Sequence, residues 1–320
     1  MTRWGLVATV KAPARAVLDF AAWHLDLGAH RLYLHLDAPD PDLQARLKAH
    51  PRVRVTPTGP GYWHRNGGHR PAKHQVRQAV NATRVLARPP EVDWLAHIDV
   101  DEFLLPDAPL SDTLAALPPE TLCARVRPIE ALAPDVGIAP PDWACKAFTL
   151  DRATRRAQTA RLFPEDAQAL DGGFLSHVAG KLLVRTSLRG AEFRIHNVFQ
   201  DGEQNPGQAE LPSVPLCHMH ATDVEEWLAR HRFRHAQGAY RAELKPPAEG
   251  ATTLHDHLAR IEVADGEPGL RAFFARTCTA RPDLLASLEA EGLLRRVHID
   301  LDAARTRHFP DQISSPAAPS

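Results

Sequence analysis

Several features of membrane and secreted proteins are missing from this sequence. It contains no run of about 18 apolar residues, so we expect no transmembrane helix. The apolar stretch near the N-terminus, Leu6 to Val10, is shorter than the roughly 7–15 residues of a signal-peptide core. The four cysteines lie far apart and form no CxxC pair, which predicts reduced, buried thiols. These observations predict a cytoplasmic protein.

An excess of either charge is also missing. Lys and Arg total 38 and Asp and Glu total 39, so the net charge is −1 with histidine neutral, and we expect no nucleic-acid partner. The 320 residues are 44% hydrophobic, which suits one large globular domain or two smaller ones. Histidine, by contrast, is plentiful at 18 residues. Because its ordinary pKa is near ~6.5, mild acid would make this chain strongly cationic.

The first half of the chain alternates between two periodicities. Apolar strand patterns over residues 5–10, 31–36, 52–56 and 93–98 are separated by helical patterns that include 41–49 and 72–88. This alternation predicts an α/β fold with a mainly parallel sheet. Two later strands, KLLVRTSL and EFRIHNVF, are expected to pair across Arg189 and Gly190. Helices are predicted over 222–237 and twice within 253–291.

The most informative segment is DWLAHIDVDEFLLP, residues 93–106. Here an apolar strand leads into Asp99, Asp101 and Glu102. In an extended chain residues i and i+2 point the same way, so Asp99 and Asp101 are expected to share one side. The carboxyl ends of strands are where open α/β sheets bind ligands, and two carboxylates there suit Mg²⁺ or Mn²⁺.

This segment resembles the metal-binding motif of bacterial family 2-type glycosyltransferases with a GT-A fold, the group with a D-x-D-E-F signature. Residues 22–40 are similar to the start of that family, with His24 and Gly28 matching and Trp23 in place of a Tyr. Residues 179–185 (AGKLLVR) and 216–234 (LCHMHATDVEEWLARHRFR) resemble two later family segments. The resemblance covers roughly residues 4–240.

The resemblance implies an organisation. Residues 1–240 form a GT-A-like domain with a nucleotide-binding half (1–127) and an acceptor half (128–240). Its sheet is Rossmann-type, mixed but mainly parallel, and flanked by helices. A helical C-terminal extension follows over 241–303, and residues 304–320 are expected to form a disordered tail.

The resemblance also implies roles for individual residues. Asp101, helped by Asp99, holds Mn²⁺ or Mg²⁺, and the ion neutralises charge on the leaving diphosphate. His218 is the expected third ligand of the metal or diphosphate, ahead of His220. Nucleotide contacts are expected from the following positions: Thr9 to Lys11, Asp37 and Asp99. Of these, Asp37 is expected to contact the nucleoside, or else to form a turn in DAPD.

Inversion at the sugar, also implied by the family, requires a general base. Glu130 is the first candidate because it follows a strand after the metal motif; Asp142 and the pair Glu165 and Asp166 are the alternatives. Three cations either contact phosphate or are surface or structural cations: Arg127, Lys181 and Arg185. The helix with Lys73, Gln75, Arg77 and Gln78 either faces the donor or is solvated.

The sequence therefore predicts a metal-dependent glycosyltransferase. Its donor is expected to be a nucleotide-diphosphate sugar such as a UDP-sugar, and its acceptor a glycan or lipid-linked molecule reached by peripheral contact at the inner face of the membrane. Two alternatives use the same residues: a metal-dependent phosphohydrolase or nucleotidyltransferase, and a carbohydrate-binding protein without activity on a transferase fold.

Overall fold

A computed structural model describes residues 2–89, 91–236 and 252–310. The strands within these ranges are β1 (Trp4–Val10), β2 (Arg31–Leu36), β3 (Val53–Pro57), β4 (Trp94–His97), β5 (Glu102–Leu104), β6 (Cys123–Val126), β7 (Pro128–Ala131), β8 (Asp142–Lys146), β9 (Lys181–Arg185), β10 (Glu192–Phe193), β11 (Val198–Gln200), β12 (Glu203–Gln204), β13 (Gln208–Glu210), β14 (Leu216–His218) and β15 (Leu294–His298). The helices are α1 (Ala14–Asp26), α2 (Pro41–Ala49), α3 (Pro60–Arg65), α4 (His74–Ala87), α5 (Leu110–Ala115), α6 (Arg152–Leu162), α7 (Val224–Ala236), α8 (Leu254–Cys278), α9 (Pro282–Ala290) and α10 (Leu301–His308).

The chain forms two compact units. Unit 1 comprises residues 1–127, 179–216 and 300–320, and unit 2 comprises residues 128–178 and 217–299. The sequence predicted a domain boundary at residue 240, whereas the chain passes from unit 1 to unit 2 after residues 127 and 216 and returns to unit 1 at residue 300. Residues 179–216 lie in unit 1 because β9 and β13 are strands of its sheet.

The sheet of unit 1 has the strand order β13-β6-β9-β4-β1-β2-β3. Strands β4, β1, β2 and β3 are parallel neighbours, and β13 is parallel to β6. Only β9 runs against both of its neighbours, β4 and β6. The predicted α/β class, with a mixed but mainly parallel sheet flanked by helices, is confirmed.

Both sides of the central strand β1 are buried, as expected for a strand covered on both faces. Val7 packs in one cluster with Ala82, Val85 and Leu86 of α4. Helix α1 buries Val17, Leu18, Ala21 and Leu25, which recur at helical spacing, and Gly28 follows it with a positive φ of 89° that an L side chain rarely adopts. These elements hold the carboxyl ends of β1, β2 and β4 at one edge of the sheet.

The predicted hairpin across Arg189 and Gly190 is wrong. Strand β9 inserts between β4 and β6, while Glu192 and Phe193 pair with β11 instead. Gly180 explains the local path before β9: its φ is 74°, and a Cβ there would collide with the carbonyl oxygen of Val126. Only glycine lets the chain approach β6 this closely.

Unit 2 contains an antiparallel sheet in which β8 pairs with both β7 and β15. Helices α7, α8 and α9 supply aromatic and aliphatic side chains to its core, among them Trp227, Phe273 and Leu288. Residues 241–251 of the predicted helical extension lie outside the described residues. Residues 252–303 of this extension are not wholly helical, because they include β15, which pairs with β8.

The predicted disordered tail is wrong over its first residues. Helix α10 covers Leu301–His308 and packs against α1, with Ala304 fully buried. Arg305 donates to Asp19, and Arg307 and His308 donate to Asp26, so the C-terminal half of α10 is held by charge. Residues 311–320 lie outside the described residues.

Two expectations from composition concern the described ranges. No helix within them combines the length and apolar character that a bilayer span requires. All four cysteine side chains are buried, as predicted.

Candidate functional site

One face of α4 carries the polar residues that reach the carboxyl edge of the unit 1 sheet. Arg77, Gln78 and Asn81 recur at helical spacing and are all less than 9% exposed. Each contacts the end of a different parallel strand: Arg77 reaches Asp37 after β2, Gln78 reaches Asp99 after β4, and Asn81 reaches Thr9 of β1. The helix is therefore not a solvated one, and its polar face lies at the carboxyl edge of the sheet.

Asp99, Asp101 and Glu102 do not form the predicted extended segment. Strand β4 ends at His97, and the backbone N–H of Glu102 donates to the carbonyl oxygen of Asp99 at 3.1 Å, which closes a turn. The backbone N–H of Asp99 in turn donates to the Glu102 carboxylate at 2.9 Å. The i, i+2 argument for a shared side fails because a turn reverses the chain between Asp99 and Asp101.

Lys181 lies against these acids. Its Nζ is 2.6 Å from Asp99 Oδ2 and 3.4 Å from the Glu102 carboxylate, and its side chain is fully buried. Burial alone lowers the pKa of this ammonium, but Asp99 and Glu102 outweigh burial and the pKa is raised. Gln78 donates to the other oxygen of Asp99 at 2.5 Å. Lys181 is thus an internal counter-charge of the acidic turn and not a surface cation.

Asp37 lies in a cluster of cations. Its carboxylate is fully buried and accepts two hydrogen bonds from Arg77, at 2.9 and 2.8 Å. Arg70 and His74 approach it at 2.9 and 3.4 Å. Burial favours the neutral acid, but hydrogen bonds from His74, Arg77 and Arg70 hold the pKa of Asp37 well below its usual range. The cluster therefore carries a net positive charge beside the end of β2.

The end of β1 is more neutral. Thr9 is buried and accepts from Asn81 Nδ2 at 2.9 Å, and Tyr62 donates to the Asn81 side-chain oxygen at 2.6 Å. Lys11 is exposed, and it lines a cavity of about 300 Å³ between the loops that follow β1 and β2. Thr9, Lys11 and Asp37 thus lie at neighbouring strand ends, as the sequence suggested.

Glu130 is not placed as a general base would be. It lies in unit 2, is 1% exposed, and forms an ion pair with Lys146 Nζ at 3.0 Å. Burial raises the pKa of Glu130, but the charges of Lys146 and His220 outweigh it and lower the pKa to about 2. A carboxylate this acidic accepts a proton poorly near neutral pH, so the structure gives Glu130 a structural role.

The other carboxylates named from the sequence differ in exposure. Asp142 is exposed and accepts from His298 at 2.8 Å. Asp166 is buried and accepts from Arg276 and His257 at 2.7 Å each. Glu165, next to it, is exposed. Asp142 and Glu165 therefore keep access to solvent, whereas Asp166 does not.

The remaining predicted cations have structural partners. Arg127 pairs with Glu210 at 2.7 Å. Arg185 donates to the carbonyl oxygen of Thr121 at 2.7 Å and stacks on the Trp94 ring at 4.4 Å. Both therefore fasten β6 or β9 within unit 1. Lys73 precedes the first turn of α4, and Gln75 is exposed there.

His218 and His220 lie in unit 2 close to a third histidine. The centroid of the His218 ring is 5.0 Å from that of His220 and 5.9 Å from that of His177. Sequence reasoning missed His177, because it lies in an irregular stretch between α6 and β9 where no periodicity applies. It also missed Lys146, whose neighbours in the sequence predict only a strand.

Comparison with known proteins finds distant structural likeness only. No family model matches the sequence, and no curated protein matches it. A galactosyltransferase, LgtC, solved with donor and acceptor sugar analogues, is 11% identical over 57% of this chain and 58% of its own, with a TM-score of 0.28. GalNAc-T7 with UDP, GalNAc and Mn²⁺ is 12% identical over 96% of this chain and 58% of its own (TM-score 0.34). HddC from Yersinia pseudotuberculosis is 9% identical over 73% of this chain and 100% of its own (TM-score 0.37).

The chain spans less than two thirds of the length of LgtC and of GalNAc-T7. At these identities and TM-scores the likeness assigns no activity to this chain.

Proposed function

We propose that this protein is a metal-dependent glycosyltransferase of the GT-A type, which moves a sugar from a nucleotide-diphosphate donor to a glycan or lipid-linked acceptor. The observation that supports it best is the polar face of α4, which gathers Arg77, Gln78 and Asn81 at the ends of three adjacent parallel strands. That edge is where open α/β sheets bind nucleotides.

The charge of this edge suits a nucleoside diphosphate. Asp37 is surrounded by Arg70, Arg77 and His74, so a positive surplus remains for an anionic ligand. We propose that Asp37 and Arg77 form one wall of the nucleoside site, with Thr9 and Lys11 forming the other. A UDP-sugar is the donor we expect.

Asp101 and His218 are the proposed metal ligands. The backbone N–H of Leu105, four residues after Asp101, donates to the carbonyl oxygen of Pro215 at 2.8 Å. A carboxylate with an imidazole is a donor set that suits Mn²⁺, and Mg²⁺ less well. When bound, the ion would neutralise charge that develops on the leaving diphosphate.

Asp99 takes part differently from Asp101 in this proposal. One of its oxygens accepts from Gln78 and the other from Lys181, so it holds the turn that presents Asp101. Asp99 then contributes to binding of the metal and the diphosphate indirectly, because it fixes the turn that carries Asp101. The charge of Lys181 offsets the repulsion between Asp99 and Glu102.

Inversion needs a base on the acceptor side. Glu130 and Asp166 are engaged in buried ion pairs. We therefore propose Asp142 or Glu165 as the base, because both carboxylates are exposed. A cytoplasmic location, with peripheral contact at the membrane when the acceptor is lipid-linked, belongs to the same proposal.

Calorimetric titration of UDP into the protein, with and without Mn²⁺, tests the proposal. We expect UDP to bind more tightly with Mn²⁺, and Asp101→Asn to remove the metal-dependent gain. Asp107→Asn, an exposed acid six residues further along, is the matched control and should behave as wild type. UDP binding that ignores both Mn²⁺ and Asp101→Asn would overturn the proposal.

A panel of nucleotide sugars separates this function from the alternatives. Slow hydrolysis of one member, with release of free sugar and nucleoside diphosphate, identifies the donor and excludes a non-catalytic binding protein. Release of nucleoside monophosphate and sugar 1-phosphate instead, without free sugar, would indicate a phosphohydrolase.

A further inference from the structure

Three histidine side chains of unit 2 form a cluster. A ring nitrogen of His218 lies within 4.8 Å of one on His177 and within 4.8 Å of one on His220. Two nitrogens that bind one zinc ion, each about 2.0–2.1 Å from it, are up to about 4.2 Å apart. Each of these two pairs is therefore within about 0.6 Å of the largest separation that a shared ion allows, with His218 as the common member.

The backbone on one side of the cluster is firmly held. His218 is the last residue of β14 and is 6% exposed, while His220 follows two residues later. Arg230 of α7 donates to the carbonyl oxygen of His220 at 2.7 Å. Ala221, the next residue, is packed in the core of unit 2. His218 and His220 are thus presented by a strand end and a turn that an arginine fixes in place.

The backbone beside His177 is held by the buried ion pair of Glu130 and Lys146. The Glu130 carboxylate accepts from the N–H of Leu175 at 3.1 Å and from that of Ser176 at 2.9 Å. Lys146 donates to the carbonyl oxygen of Gly173 at 2.6 Å. Residues 173–176 therefore carry a fixed hydrogen-bond pattern up to the residue before His177, although they belong to no helix or strand.

We infer that His177, His218 and His220 form an imidazole-rich site for a transition-metal cation, which binds Zn²⁺ and Co²⁺ more tightly than Mn²⁺. Imidazole nitrogen is a preferred ligand of these ions, whereas Mg²⁺ and Ca²⁺ are bound by oxygen. The inference rests on the proposed function only in that His218 is shared; it names the class of metal and adds His177 and His220 to the ligands.

Cobalt binding to the full-length protein tests the site without any measurement of activity. Co²⁺ is titrated into the apo protein while its visible d–d absorption is recorded, and Zn²⁺ or Mg²⁺ is then added as competitor. We expect one Co²⁺ per chain, displacement by equimolar Zn²⁺, and no displacement by a large excess of Mg²⁺. His177→Ala and His220→Ala should each weaken Co²⁺ binding by about tenfold or more, since even groups that only support a ligand contribute 10–100-fold.

His298→Ala is the matched control, because His298 lies in the same unit and is exposed beside Asp142. It should bind Co²⁺ as wild type does. Affinity that is unchanged in both His177→Ala and His220→Ala, or displacement of Co²⁺ by Mg²⁺ as easily as by Zn²⁺, would overturn the inference.

The same titrations keep the two proposals apart. If Asp101→Asn abolishes Mn²⁺-dependent UDP binding while the histidine variants bind Co²⁺ normally, the transferase proposal stands and the imidazole site fails. If Co²⁺ binding depends on the three histidines but UDP does not bind, the imidazole site stands and the transferase proposal fails.

Discussion

Glu130 and Lys146 face each other across neighbouring strands of unit 2, with Lys146 Nζ 3.0 Å from the Glu130 carboxylate and both side chains 1% exposed. The two charges also bond to the backbone of residues 173–176. The carboxylate that the sequence suggested as a catalytic base is therefore part of the interior of this unit.

Removing one partner of this pair should be costly. Glu130→Ala leaves the Lys146 ammonium buried without its counter-charge, and we expect a loss of about 3–5 kcal/mol in the free energy of unfolding. The double variant Glu130→Leu with Lys146→Leu should recover much of this loss. Urea unfolding of the wild type, of Glu130→Ala and of the double variant measures these free energies. A general base would show the opposite pattern: a large fall in kcat for Glu130→Ala with unchanged stability.

Acid should also act on Glu130 directly. Its pKa is lowered in the fold to about 2, so the ion pair contributes stability that is complete above the unfolded-state value near ~4.5 and is lost as the pH falls towards 2. The double leucine variant should show a shallower decline of stability over that window. Equal slopes in both proteins would contradict this.

Buried histidines make unit 1 sensitive to milder acid. Burial lowers the pKa of His24, His35 and His196 to about 4 and that of His97 to about 3. Between pH 6.5 and 4 the unfolded chain therefore binds more protons than the fold. The free energy of unfolding should decrease, as the pH is lowered, by up to about 1.4 kcal/mol per pH unit for each histidine. Above pH 7 these residues should contribute no slope.

Urea unfolding at pH 7, 6 and 5 checks this expectation. His35→Leu should reduce the slope below pH 6.5 and leave the slope above pH 7 as it is in the wild type. A stability that stays constant from pH 7 to pH 5 in the wild type would show that these histidines take up protons as readily in the fold as in the unfolded chain.

The cluster at Asp37 should control nucleotide affinity. Asp37→Asn removes the charged acceptor that we propose contacts the nucleoside, and hydrogen bonds to charged groups contribute about 1.5–3 kcal/mol, so UDP should bind about 10- to 100-fold more weakly. Glu91→Gln is the control: Glu91 accepts from Arg31 at the other end of β2, at 2.5 Å. Calorimetry should find the affinity of this variant unchanged. Equal losses in both variants would indicate a general effect on the sheet.

Helix α10 should be required for the stability of unit 1. Ala304→Glu places a carboxylate where the side chain is fully buried, and we expect a loss of about 3 kcal/mol or more. Thr306→Glu, at an exposed position of the same helix, should change the thermal midpoint little. If residues 301–308 were disordered in solution, the two variants would unfold alike.

Local pattern was enough to predict most elements of unit 1 and the class of the fold. Periodicity reflects which face of one helix or strand is buried, and this requires no knowledge of other segments. The strands β1, β2 and β4 and the helix α4 could all be found in this way, and so could the acidic residues after β4, although not the turn that they form. The spacing of Arg77, Gln78 and Asn81 was visible as well, although their targets were not.

Pairing between distant segments was decided only by the tertiary structure. Lys181 reaches Asp99 from 82 residues away because β9 inserts beside β4, and Glu130 meets Lys146 because β7 pairs with β8. Strand order and the path of irregular loops depend on contacts that no local pattern records. The sequence by itself therefore determined which residues could carry charge to the edge of the sheet, and the tertiary structure decided which of them hold one another in place.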